Sequence, residues 1–74
     1  MSNYSKVGQG SVIFPFSSIE GLSTVGAGSI ISTGAVVGHA AKVDDYCIVC
    51  ENAVIKPSST VGEFCTIDAG AVIH

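Results

Sequence analysis

A six-residue repeat of β-branched apolar residues runs along this chain and constrains its fold more than any other feature. Counting in steps of six from Val7 reaches valine or isoleucine every time, without an insertion. These positions are Val7, Ile13, Ile19, Val25, Ile31, Val37, Val43, Val49, Ile55, Val61, Ile67 and Ile73. The residue four places after each is always serine, alanine or cysteine: Ser11, Ser17, Ser23, Ser29, Ala35, Ala41, Cys47, Ala53, Ser59, Cys65 and Ala71. Met1 and Ser5 occupy the same two positions in the opening hexapeptide.

A strict period of six fits neither an α-helix, with 3.6 residues per turn, nor a strand of simple alternation. It predicts a solenoid in which each hexapeptide supplies one short strand and one corner. The valine or isoleucine points inward, and the small residue fills a narrow interior space beside the next bend. Glycine or asparagine often stands three residues after the inward residue, where we expect a positive φ. Those corner residues are Gly10, Gly28, Gly34, Asn52 and Gly70.

A second period of eighteen residues groups the hexapeptides into three columns. VGQGSV, VGAGSI, VDDYCI and VGEFCT form one column, and IFPFSS, ISTGAV, VCENAV and IDAGAV form the next. IEGLST, VGHAAK and IKPSST form the third. Three hexapeptides per coil predict a triangular prism of about four coils, stacked about 4.8 Å apart as parallel strands. Cys47 should therefore lie next to Cys65, and Tyr46 next to Phe64.

On these residues the chain resembles the bacterial transferase hexapeptide-repeat family, whose domains are left-handed parallel β-helices. The resemblance covers essentially all 74 residues. The left hand is implied by the resemblance alone, because the general preference for right-handed crossovers favours the opposite hand. We therefore expect an all-β, left-handed parallel β-helix of about four triangular coils. Residues 1–74 would form a single domain with no further domain.

Composition excludes several classes of partner. The net charge is −3, only 12% of residues are charged, and no cluster of lysine or arginine is present. A nucleic-acid partner is therefore not expected. The opening MSNYSK lacks the apolar core of a signal peptide, and no apolar run reaches membrane-spanning length. Three cysteines, an odd number, indicate free thiols in a reducing compartment, so we expect a cytoplasmic protein.

Self-association is expected from the ends and the faces of such a prism. Four coils leave unpaired strand edges at both ends, and no capping helix is encoded. The sequence ends two residues into a repeat, as a longer solenoid would if it were cut. Phe14, Phe16, Leu22 and Phe64 should point outward and form apolar surface. The family resemblance implies a homotrimer, and end-to-end stacking of coils from different chains is an alternative.

One histidine-containing segment is the best candidate for chemistry. GAVVGHAAKVDDYC, residues 34–47, resembles the sugar acetyltransferases that modify sialic acid and bacillosamine precursors. The resemblance implies acetyl-CoA as cosubstrate and a sugar-like acceptor with an amino or hydroxyl group. His39 would be the catalytic general base, since imidazole is suited to take a proton near neutral pH. The residues that would bind the cofactor are not indicated.

Three positions depart from the pattern of these enzymes. Ala40 replaces the Asp or Glu that follows the histidine and orients it. Ile48 stands where a second histidine often lies, and Pro57 stands where a backbone amide faces the thioester carbonyl. Proline has no N–H to donate. A second hypothesis is therefore a non-catalytic, truncated β-helix scaffold that acts only through self-association or binding.

Other constellations are weaker. Cys47 and Cys50 have the spacing of a redox or zinc pair, but the repeat directs Cys47 inward and Cys50 outward. A γ-carbonic-anhydrase metal site needs three histidines, and only His39 and His74 are present, so no metal is expected.

The acidic residues Asp44, Asp45, Glu51 and Glu63 are spread over corners, which predicts a solvated surface. An ice-binding face would need a Thr-x-Thr array, which the threonines do not build.

Overall fold

A computed structural model describes residues 5–73 of the chain, so the positions assigned to Met1 and His74 lie outside the described residues. This part contains twelve strands of two residues each. In chain order they are β1 (Lys6–Val7), β2 (Val12–Ile13), β3 (Ser18–Ile19), β4 (Thr24–Val25), β5 (Ile30–Ile31), β6 (Val36–Val37), β7 (Lys42–Val43), β8 (Ile48–Val49), β9 (Val54–Ile55), β10 (Thr60–Val61), β11 (Thr66–Ile67) and β12 (Val72–Ile73). Every strand ends on an inward valine or isoleucine of the repeat. The strands are as short as the hexapeptide period requires.

The strands form three parallel four-stranded sheets, which are the three faces of a prism. Sheet A has the order β1-β4-β7-β10, sheet B β2-β5-β8-β11, and sheet C β3-β6-β9-β12. Paired residues are always eighteen apart, as in Val25 with Val43 and Ile31 with Val49. We number the coils 1 to 4 along the chain, so that coil 1 contains β1 to β3 and coil 4 contains β10 to β12. The predicted fold, an all-β parallel β-helix of about four coils, is confirmed.

The inward residues of the repeat form a single core along the prism axis. Ile31, Val37, Val49 and Ile55 have no exposed surface. Burying each such side chain contributes about 1.5–3 kcal/mol to stability. The small residues lie in the same core, as the periodicity predicts, since Ala35, Cys47 and Ala53 are also completely buried. Toward both ends of the prism the same positions become partly exposed, because a coil covers them on one side only.

Three corner regions join the sheets. The AB corners follow the strands of sheet A, the BC corners those of sheet B, and the CA corners those of sheet C. The third corner residue has a positive φ throughout, with glycine at Gly10, Gly28, Gly34 and Gly70. Seven other residues adopt the same conformation: Phe16, Leu22, Ala40, Tyr46, Asn52, Ser58 and Phe64. The expected corner geometry is thus confirmed and extends beyond glycine and asparagine.

Glycine is also needed at the first position of some corners, where adjacent coils come very close. A Cβ added at Gly8 would lie 2.6 Å from the backbone nitrogen of Ala27 in the next coil. At Gly38 it would lie 2.7 Å from both the Ile55 carbonyl oxygen and the Pro57 nitrogen. Both distances are below the contact limit for carbon. Residues 5–73 include no helix with the length and apolarity needed to cross a membrane.

Candidate functional site at the histidine corner

His39 lies at the middle of a CA corner, between β6 and β7, and its side chain is exposed. The corner is placed by the two inward residues that flank it, Val37 and Val43, which are both almost fully buried. Because Val37 and Val43 both point toward the prism axis, the side chain at the middle of the bend between them points outward. The sequence-based placement of His39 on an outer corner is therefore confirmed.

The backbone around His39 is held by both neighbouring coils. The Ala40 N–H donates to the Gly21 carbonyl at 3.0 Å, and the Ser58 N–H donates to the His39 carbonyl at 2.9 Å. Gly38 is buried and lets the corner pack directly against the coil that follows. The backbone that bears the imidazole is therefore hydrogen-bonded to the preceding coil and to the following coil.

The three positions that depart from the acetyltransferase pattern have different surroundings. Ala40 follows His39 at a φ of 59° and presents only a methyl group. Pro57 occupies the same corner one coil later, close enough for its nitrogen to meet a Cβ at Gly38. Ile48 lies in β8 of sheet B. Sheet B is the face opposite the CA corner, so His39 and Ile48 of one chain lie on opposite sides of the prism.

The cysteines separate as the repeat predicts. Cys47 is completely buried, while Cys50 and Cys65 are partly exposed, and all three are free thiols. Cys47 and Cys65 occupy adjacent coils in one column, where the Ile48 N–H donates to the Cys65 carbonyl at 2.9 Å. Burial raises the pKa of the Cys47 thiol, and nearby acidic groups act in the same direction. Cys47 is therefore held as a neutral, packed side chain.

A hydrogen-bonded column inside the AB corners was not anticipated from the sequence. The Ser11 hydroxyl donates to the Gly26 carbonyl at 2.6 Å, and the Ser29 hydroxyl donates to the Asp44 carbonyl at 2.9 Å. The Cys47 thiol donates to the Gly62 carbonyl at 3.0 Å. We call Ser11, Ser29, Cys47 and Cys65 the corner ladder. The sequence feature that could have indicated the ladder is that the small residue of this column is always serine or cysteine.

The ladder also receives hydrogen bonds from the backbone of the following coil. The Ser29 N–H donates to the Ser11 hydroxyl at 3.0 Å, and the Cys47 N–H donates to the Ser29 hydroxyl at 3.1 Å. The Ser11 and Ser29 hydroxyls therefore replace a peptide carbonyl as acceptor where the bend interrupts the sheet. Buried polar groups are costly unless they are paired in this way. The small residues of these corners are selected for hydrogen bonding as well as for size.

The three outer faces of the prism differ in polarity. Sheet A presents Lys6, Thr24, Lys42 and Thr60. Sheet B presents an apolar stripe that ends in one threonine: Val12, Ile30, Ile48 and Thr66. Sheet C presents a second stripe that begins with serine: Ser18, Val36, Val54 and Val72. Two adjoining faces are therefore apolar and the third is polar.

Aromatic and apolar residues at the corners add to this exposed surface. Phe16 is 90% exposed, Phe64 74% and Leu22 60%. Phe14 is also exposed. The outward direction predicted for these four residues is thus confirmed.

The acidic residues and the remaining polar groups do not converge. Asp45 accepts a hydrogen bond from the Ala27 N–H at 2.8 Å, and Lys42 lies 3.9 Å from Asp44 in an exposed ion pair. Within residues 5–73, no three His, Cys, Asp or Glu side chains cluster so that they could hold a metal ion. The same residues enclose no pocket.

Comparison with protein-family models, with curated proteins and with solved structures finds no match to this chain. The assignment as a parallel β-helix therefore stands on the repeat and on the three stacked sheets.

Proposed function

We propose that this protein is a self-associating β-helix that acts as a homotrimer through its apolar faces. The observation that carries the proposal is the contrast between the stripes of sheets B and C and the polar face of sheet A. Val12 and Ile48 are 48% and 41% exposed in the single chain. Contiguous apolar surface of this kind is typical of protein interfaces.

The geometry of the stripes suits a second copy of the same chain. Each stripe repeats with the spacing of the coils, so two prisms lying side by side have matching ridges. Because two of the three faces are apolar, each copy can contact two others. A closed ring of three copies satisfies both faces of every copy. Its role would be that of a scaffold that acts by self-association or binding.

This assembly can be tested by adding a charge to one face at a time. Ile30→Lys places an ammonium group in the middle of the sheet B stripe, and Thr24→Lys places the same group on sheet A as the control. At low protein concentration we expect a threefold chain mass for the wild type and for Thr24→Lys in sedimentation equilibrium, and a smaller mass for Ile30→Lys. A monomeric wild type, or an Ile30→Lys variant of unchanged mass, would contradict the proposal.

Acetyl transfer is the second candidate function, and the exposed His39 corner is the observation that favours it. The corner adjoins sheet C, so a trimer packed through that face would put His39 at the rim of a cleft between copies. The resemblance of residues 34–47 to sugar acetyltransferases makes acetyl-CoA the proposed cosubstrate. The acceptor would be a small sugar-like molecule with an amino or hydroxyl group.

In this reaction His39 would take the proton of the acceptor while the nitrogen or oxygen attacks the thioester carbonyl. The carbon–sulfur bond then breaks, and the coenzyme A thiolate leaves and takes up a proton. The developing oxyanion needs a hydrogen-bond donor. Pro57 cannot provide one from its backbone, and Ala40 cannot orient the imidazole through a carboxylate. Any catalysis by this chain would therefore depend on groups contributed by a neighbouring copy.

The enzymatic candidate is tested by incubating the protein with acetyl-CoA and a panel of aminosugars and following the release of free thiol. His39→Ala is the informative variant, and His74→Ala, which removes the other histidine, is the control. Turnover that is lost in His39→Ala and kept in His74→Ala would support acetyl transfer. Equal rates in all three proteins, at the level of the protein-free background, would leave the scaffold as the function.

A further inference from the structure

Backbone hydrogen bonds between the coils follow two fixed offsets. In the first, an N–H donates to the carbonyl seventeen residues later, as from Ile48 to Cys65 at 2.9 Å and from Cys50 to Ile67 at 2.9 Å. In the second, the N–H of a positive-φ corner residue donates to the carbonyl nineteen residues earlier, as from Phe64 to Asp45 at 3.1 Å. The first offset holds from coil 1 to coil 4, and the second holds at every positive-φ corner from Gly28 to Gly70 except Gly34. The two offsets therefore also predict which hydrogen bonds an added coil would form.

The two ends of the described prism carry complementary unpaired groups. On coil 4, five N–H groups that should follow the first offset have no backbone acceptor among residues 5–73: those of Thr60, Gly62, Thr66, Asp68 and Val72. On coil 1, the carbonyls of Val7, Ser11, Ile13 and Ser17 receive no such donor from the described residues. Among the described residues, the second offset leaves the N–H groups of Gly10 and Phe16 on coil 1 without a backbone acceptor, and the carbonyls of Glu63 and Ala69 on coil 4 without a backbone donor.

We propose that coil 1 of a second copy docks onto coil 4 of the first, head to tail, and continues all three sheets. Strand β1 of the second copy would pair with β10, β2 with β11 and β3 with β12, in the register already used within the chain. At least six backbone hydrogen bonds would form by the two offsets. One example is the bond from the Thr66 N–H to the Ser11 carbonyl of the second copy.

The core columns and the corner ladder continue across this contact. Ile67 would cover Ile13 of the second copy, as Ile31 covers Val49 inside the chain. Both end residues are less buried than the central ones, so the contact removes apolar surface from water. In the ladder, the Cys65 thiol would donate to the Gly8 carbonyl of the second copy, as the Cys47 thiol donates to the Gly62 carbonyl. The partly exposed Cys65 would become buried.

Charge favours the head-to-tail orientation over the contact of two like ends. The corners of coil 4 carry Glu63 and Asp68, both exposed, so two copies of coil 4 would bring four carboxylates together. In the head-to-tail contact Glu63 faces Gln9 and Asp68 faces Phe14, and no like charges meet. Because the contact joins different surfaces, it does not close on two copies and extends as a linear stack. It uses the prism ends and is independent of the lateral faces discussed above.

Gly62 gives a steric probe of the contact. A Cβ at the equivalent Gly8 would collide with the next coil, whereas a Cβ at Gly62 has no atom within 4 Å. A large side chain at Gly62 therefore fits the single chain and occupies the space that a docked coil needs. Thr66→Pro is a second probe, since proline removes an N–H that has no acceptor in the described chain and is tolerated on edge strands.

The experiment is sedimentation velocity of the full 74-residue chain over a broad concentration range, with particle length measured by electron microscopy. We expect wild-type particles to lengthen along the prism axis as concentration rises. Thr66→Pro and Gly62→Leu should weaken this growth at least about tenfold, while leaving any lateral assembly intact. Thr66→Val, which keeps the N–H, and Thr60→Leu, which adds leucine on the outer face of coil 4, are the controls.

Wild-type particles of constant length would overturn the proposal, as would growth that persists in both probe variants. If Thr66→Pro loses the β-sheet circular dichroism signal, Gly62→Leu decides the outcome. Alkylation of Cys65 in a Cys50→Ser background provides an independent readout, because Cys47 is already buried. The rate should fall as the stacks grow, and a rate independent of concentration would also overturn the proposal. Loss of the lateral trimer alone, in Ile30→Lys, would leave this contact unaffected.

Discussion

The rings of Tyr46 and Phe64 stack face to face across two successive AB corners, with centroids 5.5 Å apart and planes inclined by 9°. The Tyr46 ring lies in turn over Gly28, where an added Cβ would be 2.5 Å from a ring carbon. Glycine in one coil therefore makes room for the aromatic ring of the next. The stack is a direct result of the eighteen-residue period.

We expect this ring pair to contribute a coupling energy of about 0.5–1.5 kcal/mol, toward the lower end because both rings are exposed. The measurement is a double-mutant cycle of urea denaturation with Tyr46→Leu and Phe64→Leu. Leucine fits this corner conformation, since Leu22 adopts it with a φ of 61°. The control cycle pairs Tyr46→Leu with Phe16→Leu on another corner column, and its coupling should be close to zero. Equal coupling in both cycles would show that stacking contributes nothing specific.

Gly38→Ala should lower the free energy of unfolding by about 1–3 kcal/mol. The added methyl group would meet the Ile55 carbonyl and the Pro57 nitrogen at 2.7 Å, and backbone atoms cannot move aside cheaply. Gly62→Ala adds the same group at the same place in a hexapeptide but meets nothing within 4 Å. Its stability should be unchanged or raised by up to about 1 kcal/mol. Urea denaturation at low protein concentration measures both, and equal losses would contradict the close approach of the coils at Gly38.

Ala40→Gly should raise stability by up to about 1 kcal/mol, because alanine is strained in the left-handed region and glycine is not. The φ of Ala40 is 59°. The neighbouring Ala41 is buried, with 1% of its surface exposed, and has no such strain. Ala41→Gly should therefore lower stability by about 1 kcal/mol. Thermal or urea unfolding distinguishes the two, and a loss of stability in Ala40→Gly would show that the corner is not strained.

The stability of the protein should fall at alkaline pH in part because of Cys47. Burial raises the pKa of this thiol in the folded state. The contribution of the neutral thiol to the free energy of unfolding is therefore fully present below the unfolded pKa of about 8.5. It is lost as pH rises through the higher, folded pKa, at no more than about 1.4 kcal/mol per pH unit. Cys47→Ser removes this loss, and serine fits because Ser11 and Ser29 occupy the same ladder.

The measurement for Cys47 is urea denaturation of both proteins under reducing conditions, at neutral pH and near pH 10. All other side chains are the same in both proteins, so the difference between their two losses of stability reports on Cys47. An identical loss in wild type and Cys47→Ser would contradict the effect of burial.

The architecture could be predicted from the sequence because each hexapeptide repeats the same physical requirement. Val25 and Val43 must both face the axis, and a step of eighteen residues brings one against the other. The adjacency of Tyr46 and Phe64 and the inward direction of Cys47 follow from the same count. The left hand of the coil was implied only by the family resemblance, since the residues themselves carry no signal for it.

Corner conformation was only partly predictable. Glycine and asparagine indicate a positive φ through their own preferences, but Phe16, Leu22 and Ser58 do not. They adopt it because the stacked coils on either side fix the path of the backbone, which outweighs local propensity. The need for glycine at Gly38 was not predictable for a similar reason, since it depends on a coil eighteen residues away.

The position of the candidate site at His39 could be predicted from the sequence, but the groups that surround it could not. The repeat places His39 on an exposed corner, and the structure has it there. The periodicity of one chain carries no information about whether another molecule packs against an outer corner. The hydrogen bonds of Ser11 and Ser29 were missed because their small size alone accounts for their place in the column.

The constant eighteen-residue register makes length a modular property of this molecule. Because every inter-coil hydrogen bond joins adjacent coils only, an in-frame duplication of eighteen codons would add one layer and leave the contacts of the others in place. A duplication of a number of codons that is not a multiple of six would instead interrupt the hexapeptide register at the site of insertion. The number of coils, and with it the length of the prism, can therefore change by duplication or deletion of eighteen codons without any change to the residues of the core.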